Sequence, residues 1–356
     1  MLHIRNSFAM FNVLIPQKMI KIMNTPEQYL QTAINAVSEA CRATRAVQLE
    51  LDSIRQMTKD DRSPVTVADF AAQAIVCQRL SDDLGRLDMV GEESAAELRD
   101  GDKESLRTAV AQTVQKYRND LTTEDVLNAI DLGNHDASES RYWTLDPIDG
   151  TKGFLRGGQY AVSLALIDRG EVVLGVLGCP NMSADFSQAF DQPAASGCLF
   201  YATQGSGSWY LPENDTQAKP LKISASEDVD LSALRVCESV ESGHSKQDDT
   251  AKILQHLKAT SAPARLDSQC KYAVVGRGQA DAYLRLPTRA GYVEKIWDHA
   301  AGKLIAEQAG AIVSDIFGKP LDFSTGATLD SNKGVVCTAA AIHADIIEAI
   351  KTLGIA

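Results

Sequence analysis

An α+β unit followed by a smaller α/β unit is the fold class that the 356-residue sequence predicts, and three observations predict it. Apolar residues recur at helical spacing from Leu30 onward, strand-like runs crowd between residues 142 and 211, and strands alternate with helices beyond residue 220. The length agrees, since domains of about 150 residues make two units of such a chain. The expected boundaries are 1–24 for a leader, 25–217 for the first unit and 218–356 for the second.

The elements follow in order. Residues 1–26 lack Asp and Glu but carry Arg5, Lys18 and Lys21, so residues 1–24 read as a disordered leader or a targeting segment, with Met23 as an alternative start. Thr25 as N-cap and Pro26 at the first helical position open a long amphipathic helix through Leu30, Ile34, Val37, Cys41, Val47, Leu51 and Ile54. After Ser63-Pro64 a second helix passes through Phe70, Ile75, Val76 and Leu80, with Asp69 near its opening. A short strand over 87–90 then ends at Gly91-Glu92-Glu93. Residues 95–140 read as a polar surface insertion with helical pieces, one of them capped by Thr123. Strands are expected over 142–145, 161–167, 172–177, 198–203 and 208–211, and the polar stretch 212–220 reads as the linker to the second unit. There, strands over 234–237, 282–286, 311–314 and 334–337 alternate with helices over 249–257, 299–308 and 340–353.

Forty-seven acidic against 35 basic residues give a net charge of −12. That excludes a broad surface for nucleic acid or anionic membrane and suits an acidic site loaded with cations. No run approaches the ~18 apolar residues of a membrane-spanning helix. The seven cysteines are odd in number and never form CxxC, so they signal neither a disulfide framework nor a zinc knuckle. A reducing compartment, the cytoplasm, is expected, with the mitochondrion as the alternative that a cleaved leader would imply.

The most informative stretch is Trp143-Thr144-Leu145-Asp146-Pro147-Ile148-Asp149-Gly150-Thr151-Lys152-Gly153. Its strand is expected to end at Asp146, where Pro147 stops the ladder, and Gly150 permits a turn that gathers Asp146, Asp149 and the carbonyls between them. Hard cations such as Mg²⁺ take that set of oxygens and suit phosphoryl chemistry. The same residues equally suit a plain turn whose Asp side chains bond backbone amides. Glu92 at a strand exit, and Asp298 in Ile296-Trp297-Asp298-His299-Ala300-Ala301-Gly302, extend the acidic set, although Asp298 also reads as an N-cap.

Together, Gly91-Glu92-Glu93, Asp146-Pro147-Ile148-Asp149-Gly150 and Trp297-Asp298-His299-Ala300-Ala301-Gly302 resemble the lithium-sensitive, magnesium-dependent phosphatases of the inositol monophosphatase-like superfamily. The resemblance narrows to the 3′(2′),5′-bisphosphate nucleotidases through residues 146–160, Glu241-Ser242-Gly243-His244-Ser245, Asp267-Ser268-Gln269-Cys270-Lys271-Tyr272 and Asp281-Ala282-Tyr283-Leu284-Arg285-Leu286-Pro287. Gly158 departs from it, standing where an acidic residue is common in that family.

The resemblance implies an α/β sandwich layered αβαβα, with the site between the two units. It further implies up to three Mg²⁺ ions on Glu92, Asp146, the Ile148 carbonyl, Asp149 and Asp298, with Li⁺ and Na⁺ inhibitory. Asp69 and Thr151 would prepare the attacking water, with no covalent enzyme intermediate. His244, Ser268, Lys271 and Arg285 would surround the adenosine and its 5′-phosphate, holding that second phosphate away from the metals. The implied reaction removes the 3′-phosphate of adenosine 3′,5′-bisphosphate and of 3′-phosphoadenylyl sulfate, in a monomer without nucleic-acid or membrane partners. An inositol phosphate phosphatase and a catalytically silent nucleotide sensor are the rival readings. The first would have no reason to carry His244, Lys271 and Arg285, and the second needs a missing ligand.

Overall fold

The computed structural model describes residues 25–51, 64–241, 243, 246–289 and 291–355, so the leader expected at 1–24 and His244 lie outside the described residues. Pro26 and Pro64 each open a helix, α1 (Pro26–Leu49) and α2 (Pro64–Leu84), at the position where a missing N–H does no harm. The two helices pack together and bury small side chains, among them Ala36, Ala40 and Ala43 of α1 and Ala68, Ala71 and Ala72 of α2.

Strand β1 (Met89–Gly91) pairs in parallel with β2 (Arg141–Asp149), and the insertion between them contributes α3 (Glu104–Gln115) and α4 (Thr123–Asp131). The cap of α4 is Thr122 rather than Thr123. Its hydroxyl accepts the Asp125 N–H while the Asp125 carboxylate accepts the Thr122 N–H, a capping box that only the residue three before Asp125 can close. After α5 (Thr151–Leu155), an antiparallel run of β3 (Ala161–Asp168), β4 (Glu171–Cys179), β5 (Cys198–Thr203), β6 (Ser208–Pro212) and β7 (Leu221–Ile223) completes a seven-stranded sheet in sequence order. Because β7 still pairs with β6, the polar stretch 212–220 is a connection within this sheet and not a linker. Polar loop residues look alike in both roles.

The second sheet holds β8 (Val236–Glu238), β9 (Ala264–Arg265), β10 (Ala282–Arg285), β11 (Ala311–Ser314) and β12 (Val335–Ala339) in the order β11-β12-β10-β8-β9. Its helices are α6 (Gln247–His256), α7 (Cys270–Gly276), α8 (Ala300–Gln308) and α9 (His343–Thr352).

Three apolar clusters define the layers. Leu164 and Val176 face α1 and α2, while Ala165 and Leu177 on the opposite face join α7, α8 and the second sheet. Leu284 and Val336 meet Ile253 of α6 and Ile346 and Ile350 of α9 on the far side. The order is therefore αβαβα, and both faces of the first sheet are buried, which is why its strands read as nearly continuous apolar runs. Gly175 lets the middle layer approach closely, since a Cβ there would stand 3.0 Å from the Ala301 carbonyl oxygen of α8. Among the described residues no helix is long and apolar enough to cross a membrane.

Candidate active site

Strand β2 does not end at Asp146. Asp146 pairs with Ser163 and Asp149 with Ala161, so three steps on β2 match two on β3 and one extra residue makes a bulge around Pro147-Ile148. A bulge is where a strand tolerates proline, because the lost N–H is not needed for the ladder. Asp146, Ile148 and Asp149 thereby line one cleft of about 330 Å³. Gly150 follows with φ +89°, and a Cβ there would lie 3.0 Å from the Ser268 Cβ. This left-handed residue turns the chain into α5, which opens on the exposed Thr151 at the cleft wall.

Glu92 stands one residue past β1, where its N–H donates to the Leu145 carbonyl at 3.2 Å and sets it beside Asp146. Its loop is clamped by Gln73, one turn after Asp69 on α2. The Gln73 Nε2 donates to the carbonyls of Glu93 (2.6 Å) and Ile130 (2.9 Å), and its Oε1 accepts the Glu93 N–H at 3.1 Å. Asp69 sits in the second turn of α2, buried, and does not line the cleft; α2 packs against α5, the helix that Thr151 opens. Asp298 is not a helix cap. It closes a 3₁₀ turn (Ile296–Asp298) whose hydrogen bond runs from its N–H to the Lys295 carbonyl, and α8 begins only after His299, leaving its carboxylate free to line the cleft.

These carboxylates crowd one another. Loss of surrounding water pushes Glu92 up to about 7, with Glu93 and Asp149 adding to the effect and a hydrogen bond with Asp146 opposing it. Asp298 is pushed up to about 7 by burial against the pull of Arg285. Burial, then the charges of Glu92, Asp149, Asp298 and Asp69, drive Asp146 well above the carboxylate range. Asp69 rises for the same reason, burial first and Glu93 and Glu92 after it. Asp149 is also raised by burial, although Lys271 and the Gln269 N–H oppose the rise. The buried Asp146 Oδ1 has no hydrogen-bond partner. An orphaned carboxylate oxygen in a cleft lined by three other acids fits a hard divalent cation such as Mg²⁺.

The basic wall of the cleft is built from the second sheet and α7. Lys271 is 2% exposed, its Nζ donating to the carbonyls of Ser268 (2.7 Å) and Leu266 (3.2 Å), and it stands 5.0 Å from the centre of the Tyr283 ring. Burial lowers its pKa, partly offset by Asp149 and Asp267. Ser268 takes φ +69°, and its hydroxyl accepts the Cys270 N–H at 3.2 Å. Arg285 lies at the end of β10, 3.6 Å from Asp298, so it stands beside the acidic cluster and not remote from it. Gly158 has room for a side chain, its nearest neighbour being the Gly153 carbonyl at 3.5 Å.

Sequence reasoning missed the supports of this site. Gln73, Gln269 and Glu294 are buried polar residues, the first two with partners distant in the chain, and only the position of Gln269 inside the Asp267–Tyr272 motif marked it. It also missed α7, a seven-residue helix too short to show periodicity, and an ionic bridge in which Glu241 meets Lys152 (2.9 Å) and Arg156 (2.6 Å).

The chain is similar to known proteins over most of its length. The chain is 42% identical over 332 residues to a 3′(2′),5′-bisphosphate nucleotidase of Schizosaccharomyces pombe, covering 90% of this chain and 94% of the relative. A protein of the same description from Emericella nidulans is 44% identical over 316 residues, covering 83% and 90%. In fold, the chain matches an inositol monophosphatase from Anabaena with a TM-score of 0.59 at 20% identity, covering 92% and 96%. The model of the inositol monophosphatase family matches residues 20–354, and the chain belongs to that family.

Proposed function

We propose that this chain is a metal-dependent phosphatase that hydrolyses the 3′-phosphate of adenosine 3′,5′-bisphosphate and of 3′-phosphoadenylyl sulfate. The observation that carries the reading is the convergence of Glu92, Asp146, Asp149 and Asp298 on one cleft whose other wall holds Arg285 and Lys271. The nucleotidase relatives support the choice of substrate.

Glu92, Asp146, the Ile148 carbonyl, Asp149 and Asp298 would hold the Mg²⁺ ions. Magnesium, when bound, supplies positive charge to the phosphate ester and makes water a stronger nucleophile. Asp69, behind the cleft wall on the helix that packs against α5, would accept the water proton by way of Thr151 at the start of α5. Ser268 offers a hydroxyl, Arg285 a planar fork for phosphate, and Lys271 a fixed positive charge beneath the Ser268 loop. No covalent intermediate on the chain belongs to this reading.

With the first unit running through β7 and the second beginning after it, Asp298 reaches from the second unit to acids of the first, and the site needs both. The reading places the enzyme in the cytoplasm as a monomer. Phosphate release from adenosine 3′,5′-bisphosphate, its sulfated counterpart, inositol 1-phosphate, inositol 1,4-bisphosphate and fructose 1,6-bisphosphate, measured side by side with Mg²⁺, tests it. The adenosine substrates should lead. Faster turnover of an inositol phosphate would overturn the nucleotide assignment.

A further inference from the structure

We propose that Gln269 is a positioning residue that couples the nucleotide side of the cleft to the metal carboxylates. Its main-chain N–H donates to Asp149 Oδ2 at 2.5 Å. Its side-chain Nε2 donates to the Trp297 carbonyl and to Ser163 Oγ, each at 2.8 Å, and its Oε1 accepts the Gly302 N–H at 2.9 Å. Gln269 is 2% exposed, so water does not compete for these bonds.

The contacts reach both acids by different routes. Asp149, from the first sheet, is held directly by the main chain. Asp298, from the second unit, is held through the residue before it, Trp297, whose carbonyl also accepts Ser163 Oγ at 3.3 Å. On either side of Gln269 lie Ser268 and Lys271, and the Lys271 ammonium closes the loop by donating to the Ser268 carbonyl at 2.7 Å. A nucleotide that draws on Ser268 therefore pulls on the peptide whose N–H holds Asp149. Only a neutral amide suits the position, because it must donate twice and accept once. A carboxylate cannot donate to Trp297, and an aliphatic side chain takes the acceptor from the buried Gly302 N–H and one bond each from the Trp297 carbonyl and the Ser163 hydroxyl, which keep only each other.

The proposal rests on reading Asp149 and Asp298 as metal carboxylates. Calorimetry on the full chain tests it, with Mn²⁺ as the probe for metal affinity and AMP titrated with and without Mn²⁺. In the unsubstituted chain Mn²⁺ should tighten AMP. Gln269→Leu should weaken Mn²⁺ by about 10–100-fold, as loss of an outer support does, and should abolish most of that tightening. Ser163→Ala removes one of the contacts and should reduce both effects by a few-fold. It decides alone if Gln269→Leu does not fold. Unaltered Mn²⁺ affinity and unaltered tightening in the folded variants would overturn the coupling, as would a loss of AMP affinity that is equal with and without Mn²⁺. If Asp149→Asn binds Mn²⁺ as the unsubstituted chain does, the metal assignment fails and the proposal with it.

Discussion

The Arg285 guanidinium joins two carboxylates, with Nη2 2.7 Å from Glu294 and 3.6 Å from Asp298. Glu294 also meets His299 Nε2 at 3.1 Å, and His299 Nδ1 pairs with the Tyr272 hydroxyl at 2.8 Å. Burial opposes ionisation of Glu294, yet Arg285 and His299 together hold it down at about 2. Arg285 is therefore part of a buried network as well as a candidate phosphate contact.

Truncation of Arg285 should accordingly do more than weaken one phosphate contact. Arg285→Ala leaves Glu294 short of its main counter-charge, and breaking a buried pair from one side costs about 3–5 kcal/mol. The melting temperature should fall by several degrees, and kcat/KM should fall for both adenosine 3′,5′-bisphosphate and adenosine 3′-monophosphate, more for the former. The double variant Arg285→Met with Glu294→Gln should recover part of the stability and none of the bisphosphate preference. A single variant as stable as the parent would show that the network is dispensable.

The carboxylate cluster makes the metal-free chain sensitive to pH. Glu92 and Asp298 are pushed up to about 7 from ordinary values of 4.5 and 3.8. Between those limits the folded state binds more protons than the unfolded state, so the contribution of these groups is favourable below about 4 and is lost as pH rises to about 7. Mg²⁺ held by these acids would offset the repulsion between the ionised forms. Thermal melts in chelator should fall from pH 5 to pH 7, and added Mg²⁺ should raise the melting temperature more at pH 8 than at pH 5. Equal stabilisation at both values would contradict the metal assignment.

Removing acids should separate binding from proton transfer. Asp149→Asn or Asp298→Asn, like excess chelator, should nearly abolish phosphate release because too little negative charge remains to hold the cations. Asp69→Asn should lower kcat by about 10²–10⁴-fold with Mn²⁺ affinity nearly unaltered, as expected of a proton acceptor behind the cleft. Unaltered kcat would remove Asp69 from that role.

Inhibition by Li⁺, which the resemblance implies, would take a simple electrostatic form in this site. A monovalent ion among Glu92, Asp146, Asp149 and Asp298 neutralises less charge than Mg²⁺ while occupying the same oxygens. Phosphate release at fixed Mg²⁺ and ionic strength should fall with Li⁺ and stay level with K⁺. Identical curves for the two ions would reject the expectation.

The acids were legible in the sequence because each lies in a short local pattern. Asp146 and Asp149 flank a proline and precede a glycine, Glu92 leaves a strand, and Asp298 precedes a run of small residues. Their supports were not. Gln73, Gln269 and Glu294 act through partners 5 to 120 residues away in the chain, and nothing local distinguishes a buried polar side chain from a surface one. The bulge at Pro147 was hidden for a related reason, since proline ends most ladders and is retained only where the partner strand supplies a mismatch in register. Strands β3 to β6 of the first sheet were placed closely, Cys198–Thr203 without error, because both faces are buried and the apolar runs are long, while the three-residue β7 was not read as a strand.

The bridge at the cleft mouth gives the last prediction. Glu241 lies between Lys152 of α5 at 2.9 Å and Arg156 at 2.6 Å, and Arg156 also meets Asp267. The side chains of Lys152 and Arg156 are 59% and 42% exposed, so solvent screens the pairs and they add little to stability. Their larger effect is on the field at the entrance, because Lys152 and Glu241 both line the cleft and Glu241 cancels cations that would otherwise attract an anionic substrate. Glu241→Gln should therefore lower KM for the bisphosphate by a few-fold at low ionic strength, with kcat and melting temperature nearly unaltered. The gain should fade as salt rises toward 0.5 M, since charges at the surface are screened within about 10 Å at 0.1 M and less beyond it. A rise in KM would mean instead that Glu241 holds Lys152 and Arg156 in the positions the substrate needs, and a gain indifferent to salt would rule out the electrostatic account.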